Sequence, residues 1–405
     1  MKRKNLIKWL LCVALSGMVL WAAGCSQKEI QDADQDYTGE STENVSEESA
    51  GVEEKDSDVE DSDAEDSDAE GMPEQEEGSV AAEPVCSEAD LIILNDPAIY
   101  TYMNMSQDLE KLSSIYSTQI SLDSLGQTMD GREIYHLVIG DPNAKIRIMI
   151  NASIHGREYM TSQLVMAQMV SFLQNIENNN SYNGQSYESL LEDVVIHVVP
   201  MINPDGVSIS QFGMDGVLTD EVKNRIYAIA DMDGSAVDES YLTRWKANGN
   251  GIDVNRNFDA LWESYEGAGH PSSDHYKGES IGCEPESAAL INLTEQVGFQ
   301  RTLSYHTQGS VIYWYFAQDG QLYDETLDFA NAISAVTGYP TDANYEYLDP
   351  AGYKDWAISK KSIPSLTVEV GRETSPVPSA QYSQIREENK CVWEETILNA
   401  KKWNK

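Results

Sequence analysis

His155 and Glu158 stand three positions apart, after the largely apolar run 146–150 and before residues 159–176, where Leu164, Ala167, Val170 and Leu173 recur at helical spacing. An imidazole and a carboxylate in a turn between a strand and a helix occupy the place where open α/β sheets bind ligands. They are two of the three protein ligands that a catalytic zinc site uses, its fourth position being left to water. Taken alone, the pair is also compatible with a solvated turn. A third ligand comes from downstream, where Thr302-Leu-Ser-Tyr-His306 reads as a strand ending in His306. Glu369 lies inside the apolar run Ser365-Leu-Thr-Val-Glu-Val370. A buried carboxylate without a partner is costly, and a water activated by a metal is a suitable partner for it.

These residues need elements to position them. The spacing predicts helices over 96–115, 159–176, 285–296, 324–337 and 389–403. It predicts strands on either side of the turn Asp130-Gly-Arg132, and over 146–150, 193–200, 302–306, 311–316 and 365–370. The run 193–200 is apolar throughout and reads as a central strand buried on both faces, with His197 a satisfied core histidine. His136 reads as an ordinary strand residue. Residues 201–206 read as a tight turn, 178–185 as a polar loop, 212–250 as irregular, and 251–258 as strand-like. Strands and helices alternate, so the expected class is α/β, with one domain built on a central mixed, mostly parallel sheet flanked by helices.

Only part of the chain can fold this way. Residues 1–24 combine a basic start, an apolar stretch and the ending Ala22-Ala-Gly-Cys25, which is the pattern of a lipoprotein signal peptide with Cys25 as the lipidated residue. Residues 25–85 are dominated by Asp, Glu, Ser and Ala and cannot bury enough apolar surface to offset the entropy of ordering, so they read as a disordered acidic tether. The expected catalytic domain is 86–405. The chain carries 27 Lys and Arg against 68 Asp and Glu, a formal net charge of −41, which argues against a nucleic-acid partner. Cys86, Cys283 and Cys391 allow at most one disulfide and no thiolate metal site. The expected place is the outer face of a bacterial cytoplasmic membrane, with the chain a lipid-anchored monomer.

Five motifs in order, His155-Gly-Arg-Glu158, Asn203-Pro-Asp-Gly206, Asp253-Val-Asn-Arg256, Ser304-Tyr-His306 and Thr367-Val-Glu369, resemble those of the zinc metallocarboxypeptidase family, and the likeness runs from about Tyr100 to the end. It implies one Zn²⁺ held by His155, Glu158 and His306, with Glu369 taking a proton from the attacking water and passing it to the leaving amine. It implies that Asp253 fixes a ligand imidazole, His155 foremost, and that Asn255 and Arg256 grip a terminal carboxylate while Tyr347 closes over it. The family's oxyanion-stabilising arginine falls on Lys246, with Arg244 as the alternative. Lys354, before Asp355-Trp356, falls at the base of the specificity pocket, where it suits a negatively charged side chain.

The segments Trp245-Lys-Ala-Asn248, His306-Thr-Gln-Gly309 and Gly352-Tyr-Lys-Asp-Trp356 are most similar to the bacterial branch that cleaves γ-D-glutamyl-meso-diaminopimelate bonds in peptidoglycan stem peptides. The expected substrate is therefore a cell-wall stem peptide. Two other classes compete: a general carboxypeptidase releasing acidic C-terminal residues, and an inactive surface-binding lipoprotein. The intact set of His155, Glu158, His306 and Glu369 argues against the last, since a binding module needs no buried base.

Overall fold

In the computed structural model, which describes residues 86–404, the run Val194–Val199 is a strand buried at every position. The expected signal segment 1–24, Cys25 and the acidic stretch up to residue 85 lie outside the described residues.

The strands are β1 (Ile120–Gln127), β2 (Glu133–Gly140), β3 (Ile146–Ala152), β4 (Ser181–Tyr182), β5 (Gln185–Ser186), β6 (Val194–Val199), β7 (Arg301–Thr307), β8 (Val311–Tyr313), β9 (Thr341–Asp342) and β10 (Ser365–Val370). Eight of them form one sheet in the order β1-β2-β6-β3-β7-β10-β8-β9. Its middle, β6-β3-β7-β10, is parallel, while β1-β2, β2-β6 and β10-β8 pair antiparallel. The helices are α1 (Tyr102–Ile115), α2 (Met160–Glu177), α3 (Tyr187–Leu191), α4 (Pro204–Phe212), α5 (Asp220–Met232), α6 (Glu239–Thr243), α7 (Pro285–Val297), α8 (Gly320–Thr337), α9 (Tyr353–Lys361), α10 (Tyr382–Asn389) and α11 (Val392–Trp403).

Alternate residues of the central strands feed two separate cores, as the two-residue period of a strand requires. Ile148, Ile150, Ile196, Val198, Leu303, Tyr305, Val368 and Val370 pack with α1, α2, α8 and α11 on one face. Met149 and Val199 pack with α7 and α9 on the other. The expected class, α/β with a mixed, mostly parallel sheet between helices, is the observed one.

Several local expectations change. Residues 201–206 are not a simple turn, because Asn203 caps α4, its side-chain oxygen accepting from Gly206 N at 2.8 Å, and Pro204 sits in the first turn, where its missing N–H costs nothing. The stretch 212–250 holds α5 and α6. Its polar average hides the apolar face Val222, Ile226, Ile229 and Ala230, which packs on Leu242 and Trp245. The strand-like run 251–258 is irregular around a 3₁₀ turn at Val254–Arg256, and the polar loop 178–185 contains the β4-β5 hairpin. The strand expected over 311–316 stops at Tyr313. Cys86, Cys283 and Cys391 are all free thiols.

Candidate active site

The sheet delivers its chemistry at one edge. β3 ends at Ala152, Ser153 turns the chain through the left-handed region (φ 50°), and His155 leads into the short 3₁₀ turn Gly156–Glu158 ahead of α2. β7 brings His306 to the same edge, and β10 places Glu369 in register with His306 on the neighbouring parallel strand. Val368 and Val370 belong to the core on one face, so Glu369 points to the other, with α9.

The Glu158 carboxylate lies between two imidazoles, with Oε1 2.8 Å from His155 Nδ1 and Oε2 3.0 Å from His306 Nδ1. All three side chains are buried, and one ligand atom from each falls within 4.8 Å of the others. Burial pushes the Glu158 carboxyl up, but the two imidazoles outweigh it and hold the group well below the usual carboxylate range. Two nitrogens and a carboxylate, converging and shielded from bulk water, are the donor set of a catalytic zinc site. The other nitrogen of His155, Nε2, lies 3.2 Å from Asp253 Oδ1, an arrangement that fixes the ring and leaves Nδ1 for a metal.

Asp253 joins this centre to a buried lysine, its Oδ2 forming an ion pair with Lys246 Nζ at 2.8 Å. Lys246 Nζ also lies 3.4 Å from Asp274, and Asp274 pairs with His275 at 2.8 Å. Burial opposes the Lys246 charge; Asp253 restores it and raises its pKa above the ordinary lysine value. Glu369 has no such compensation. Its Oε2 is buried without a hydrogen-bond partner, and burial pushes its carboxyl up to about 8, with His306 opposing the rise and Glu158 adding to it.

Backbone contact holds these parts in place. A Cβ on Gly156 would lie 2.4 Å from the Gly206 backbone, and a Cβ on Gly206 would lie 2.4 Å from Ala247 O. The Asn203 amide donates to Ile154 O (3.2 Å) and Ala247 O (3.1 Å), while Gly156 N donates to Lys246 O (3.0 Å). The turn carrying His155, the start of α4 and the segment carrying Lys246 therefore touch main chain to main chain, which only glycine permits.

The centre opens into a cavity of about 450 Å³. Its walls include Lys246, Asn255, Arg256, Tyr347 and Lys354 together with the metal-type residues and Glu369, while Asp253 lies behind them. Arg256 is largely buried; its Nη2 pairs with Asp349 Oδ2 at 2.8 Å and its guanidinium lies 5.1 Å from the Tyr265 ring centre. Asn255 Oδ1 accepts from Tyr353 N at 2.9 Å. Lys354 is buried in the wall, donating to Tyr315 O at 3.2 Å and to the Asp355 carboxylate. Tyr347 is 65% exposed at the rim.

Arg244 is not among the lining residues. It is exposed, donates to Ser240 O at 3.1 Å and faces an adjoining cleft. Lining residues with no role in the sequence reading include Arg157 and Asp349. Arg157 lies inside the His-Gly-Arg-Glu motif and lines both the cavity and the adjoining cleft, pairing with Asp274 at 3.3 Å. Asp349 lies in a run with no pattern of its own, and only the pairing with Arg256 reveals it.

Residues 105–395 match the family model described as zinc carboxypeptidase. The chain is 32% identical over 300 residues to γ-D-glutamyl-L-diamino acid endopeptidase 1 of Lysinibacillus sphaericus, covering 73% of this chain and 72% of that one. The fold is shared with bovine thrombin-activatable fibrinolysis inhibitor (TM-score 0.59, 16% identity, 76% of this chain and 99% of that chain). It is shared too with carboxypeptidase A of Helicoverpa armigera (TM-score 0.58, 17% identity, 76% and 74%). Motif order, sheet topology and the match over most of the described residues agree: the chain belongs to the zinc carboxypeptidase family and is a metallopeptidase.

Proposed function

We propose that the protein hydrolyses the γ-D-Glu-meso-diaminopimelate link of peptidoglycan stem peptides, with zinc on His155, Glu158 and His306 and with Glu369 as general base. The observation that carries this reading is Lys354. It is a cation buried in the wall of the cavity that also holds Arg256, each paired with a carboxylate of the chain, so the space offers two cation–carboxylate pairs to a residue whose side chain ends in both a carboxylate and an ammonium. The likeness to a γ-D-glutamyl-L-diamino acid endopeptidase supports the same bond.

Zinc bound there supplies Lewis acidity and makes water nucleophilic near neutral pH. Arg256 and Asn255 bind the α-carboxylate of the departing residue, Arg256 with its planar fork. Glu369 accepts the proton of the attacking water and delivers it to the leaving amine. Lys246, charged and buried beside Asp253, faces the oxygen on which negative charge develops. Asp253 orients His155 and Lys246 together. Tyr347, at the rim, covers the bound residue.

The same proposal includes the setting: a signal peptide over 1–24, lipid on Cys25, and an acidic linker over 25–85 carrying the catalytic domain 86–405 at the outer membrane face as a monomer.

Mass spectrometry of L-Ala-γ-D-Glu-meso-diaminopimelate after incubation with zinc-loaded protein tests the reaction, with Glu369→Gln as control. Release of free diaminopimelate by wild type alone is the expected result. Hydrolysis of a peptide ending in L-Glu, with the tripeptide left intact, would replace this reading with a general carboxypeptidase.

A further inference from the structure

The guanidinium assigned to the substrate carboxylate already holds a carboxylate of its own chain. Asp349 Oδ2 lies 2.8 Å from Arg256 Nη2, and the Asp349 side chain is 55% exposed on the cavity wall while that of Arg256 is 11% exposed. That ion pair is the only hydrogen bond Asp349 makes among the described residues. The other acidic groups of the cavity are engaged elsewhere. Asp355 is paired with Lys354, Glu158 with two imidazoles, and Asp342 accepts from Asn344 N at 2.9 Å. Glu369 is buried beside His306.

We infer that Asp349 reads the distal ammonium of a diamino acid in the cavity, and so sets the specificity of the site. This rests on the proposed reading that the released residue is diaminopimelate. When the α-carboxylate of that residue takes Arg256, two carboxylates crowd one guanidinium and leave an unbalanced negative charge. A cation brought by the ligand restores the balance, and Asp349 is the acidic group there with a free oxygen and room to turn. Lys354 cannot fill this part, since its charge is met by Asp355. The cavity thus presents a paired cation and anion on each wall, which fits a side chain ending in both an ammonium and a carboxylate better than one ending in a carboxylate alone.

The test compares meso-diaminopimelate with 2-aminopimelate, which has the same chain and both carboxylates but lacks the distal amine. Binding of each free amino acid to the zinc-loaded protein is measured by calorimetry, for wild type and for Asp349→Asn, with Asp349→Ser in reserve if the first variant does not fold. Wild type is expected to bind diaminopimelate about tenfold more tightly, the size of one hydrogen bond to a charged group, and the variant to bind the two alike. Equal binding of both ligands by wild type, or a preference that survives loss of the carboxylate, overturns the assignment. Because binding does not depend on which bond is cut, a clear preference without cleavage of the γ-D-Glu-linked peptide leaves the role of Asp349 standing and removes the proposed reaction.

Discussion

Glu369 lies opposite His306 on adjacent parallel strands, so the candidate base and a candidate metal ligand share one face of the sheet at neighbouring positions. Backbone hydrogen bonds, rather than a loop, fix their spacing. Glu369→Gln keeps shape and burial but removes the proton acceptor. The expected loss in kcat is about 10²- to 10⁴-fold, with zinc content by elemental analysis unchanged. Equal activity of the variant would remove Glu369 from the reaction.

Asp253 links His155 to Lys246 through its two oxygens. Asp253→Asn keeps the size but weakens both contacts and leaves the buried ammonium with only the more distant Asp274 as counter-ion. The expected outcome is weaker zinc retention, by about 10- to 100-fold in affinity. It is read as zinc loss to a chelator in a competition titration, where wild type retains the ion at chelator concentrations that strip the variant.

The contact of Gly156 with Gly206 leaves no room for a methyl group. Gly206→Ala places its Cβ against Ala247 O and the Asn203 side chain, beside the segment that carries Lys246. The expected destabilisation is about 2 kcal/mol or more, seen as a lowered denaturant midpoint. Gly234→Ala, where a Cβ meets nothing within 4 Å but φ is +66°, is the control for backbone strain alone.

Away from the site, His136 Nε2 and His197 Nδ1 lie 2.9 Å apart in a buried stacked pair. Burial pulls His136 down to about 4, against Asp123, and pulls His197 down to about 3, with His136 adding to the effect. Both folded values lie below the unfolded one, so the unfolded chain binds more protons between them. The stability present above about pH 6.5 is lost as pH falls toward 4, at an upper limit of about 2 kcal/mol per histidine near pH 5. Thermal midpoints of wild type should drop between pH 7 and pH 5, and those of a His136→Leu/His197→Leu variant should drop less.

His197 was legible as a core histidine because its apolar neighbours mark a central strand, but its partner His136 was not, since cross-strand neighbours are a property of register. The metal-type residues were legible for the opposite reason. His155 and Glu158 are close in sequence, and His306 and Glu369 stand out as polar residues in apolar strands. The helix α5 escaped because its apolar face is narrow and its composition polar. The choice between Lys246 and Arg244 could not be made from a linear string, as both flank Trp245. The chain path turns Lys246 inward to Asp253 and leaves Arg244 on the surface.

By itself the sequence determined the fold class, the membership that its five motifs carry, and the types of group available for chemistry, because hydrophobic period and short-range spacing are local properties of a chain. Tertiary structure alone decided which charges meet. Asp253 between His155 and Lys246, and Asp349 on Arg256, join residues through folds of the chain, and the charge of a buried group depends on the neighbour that burial gives it.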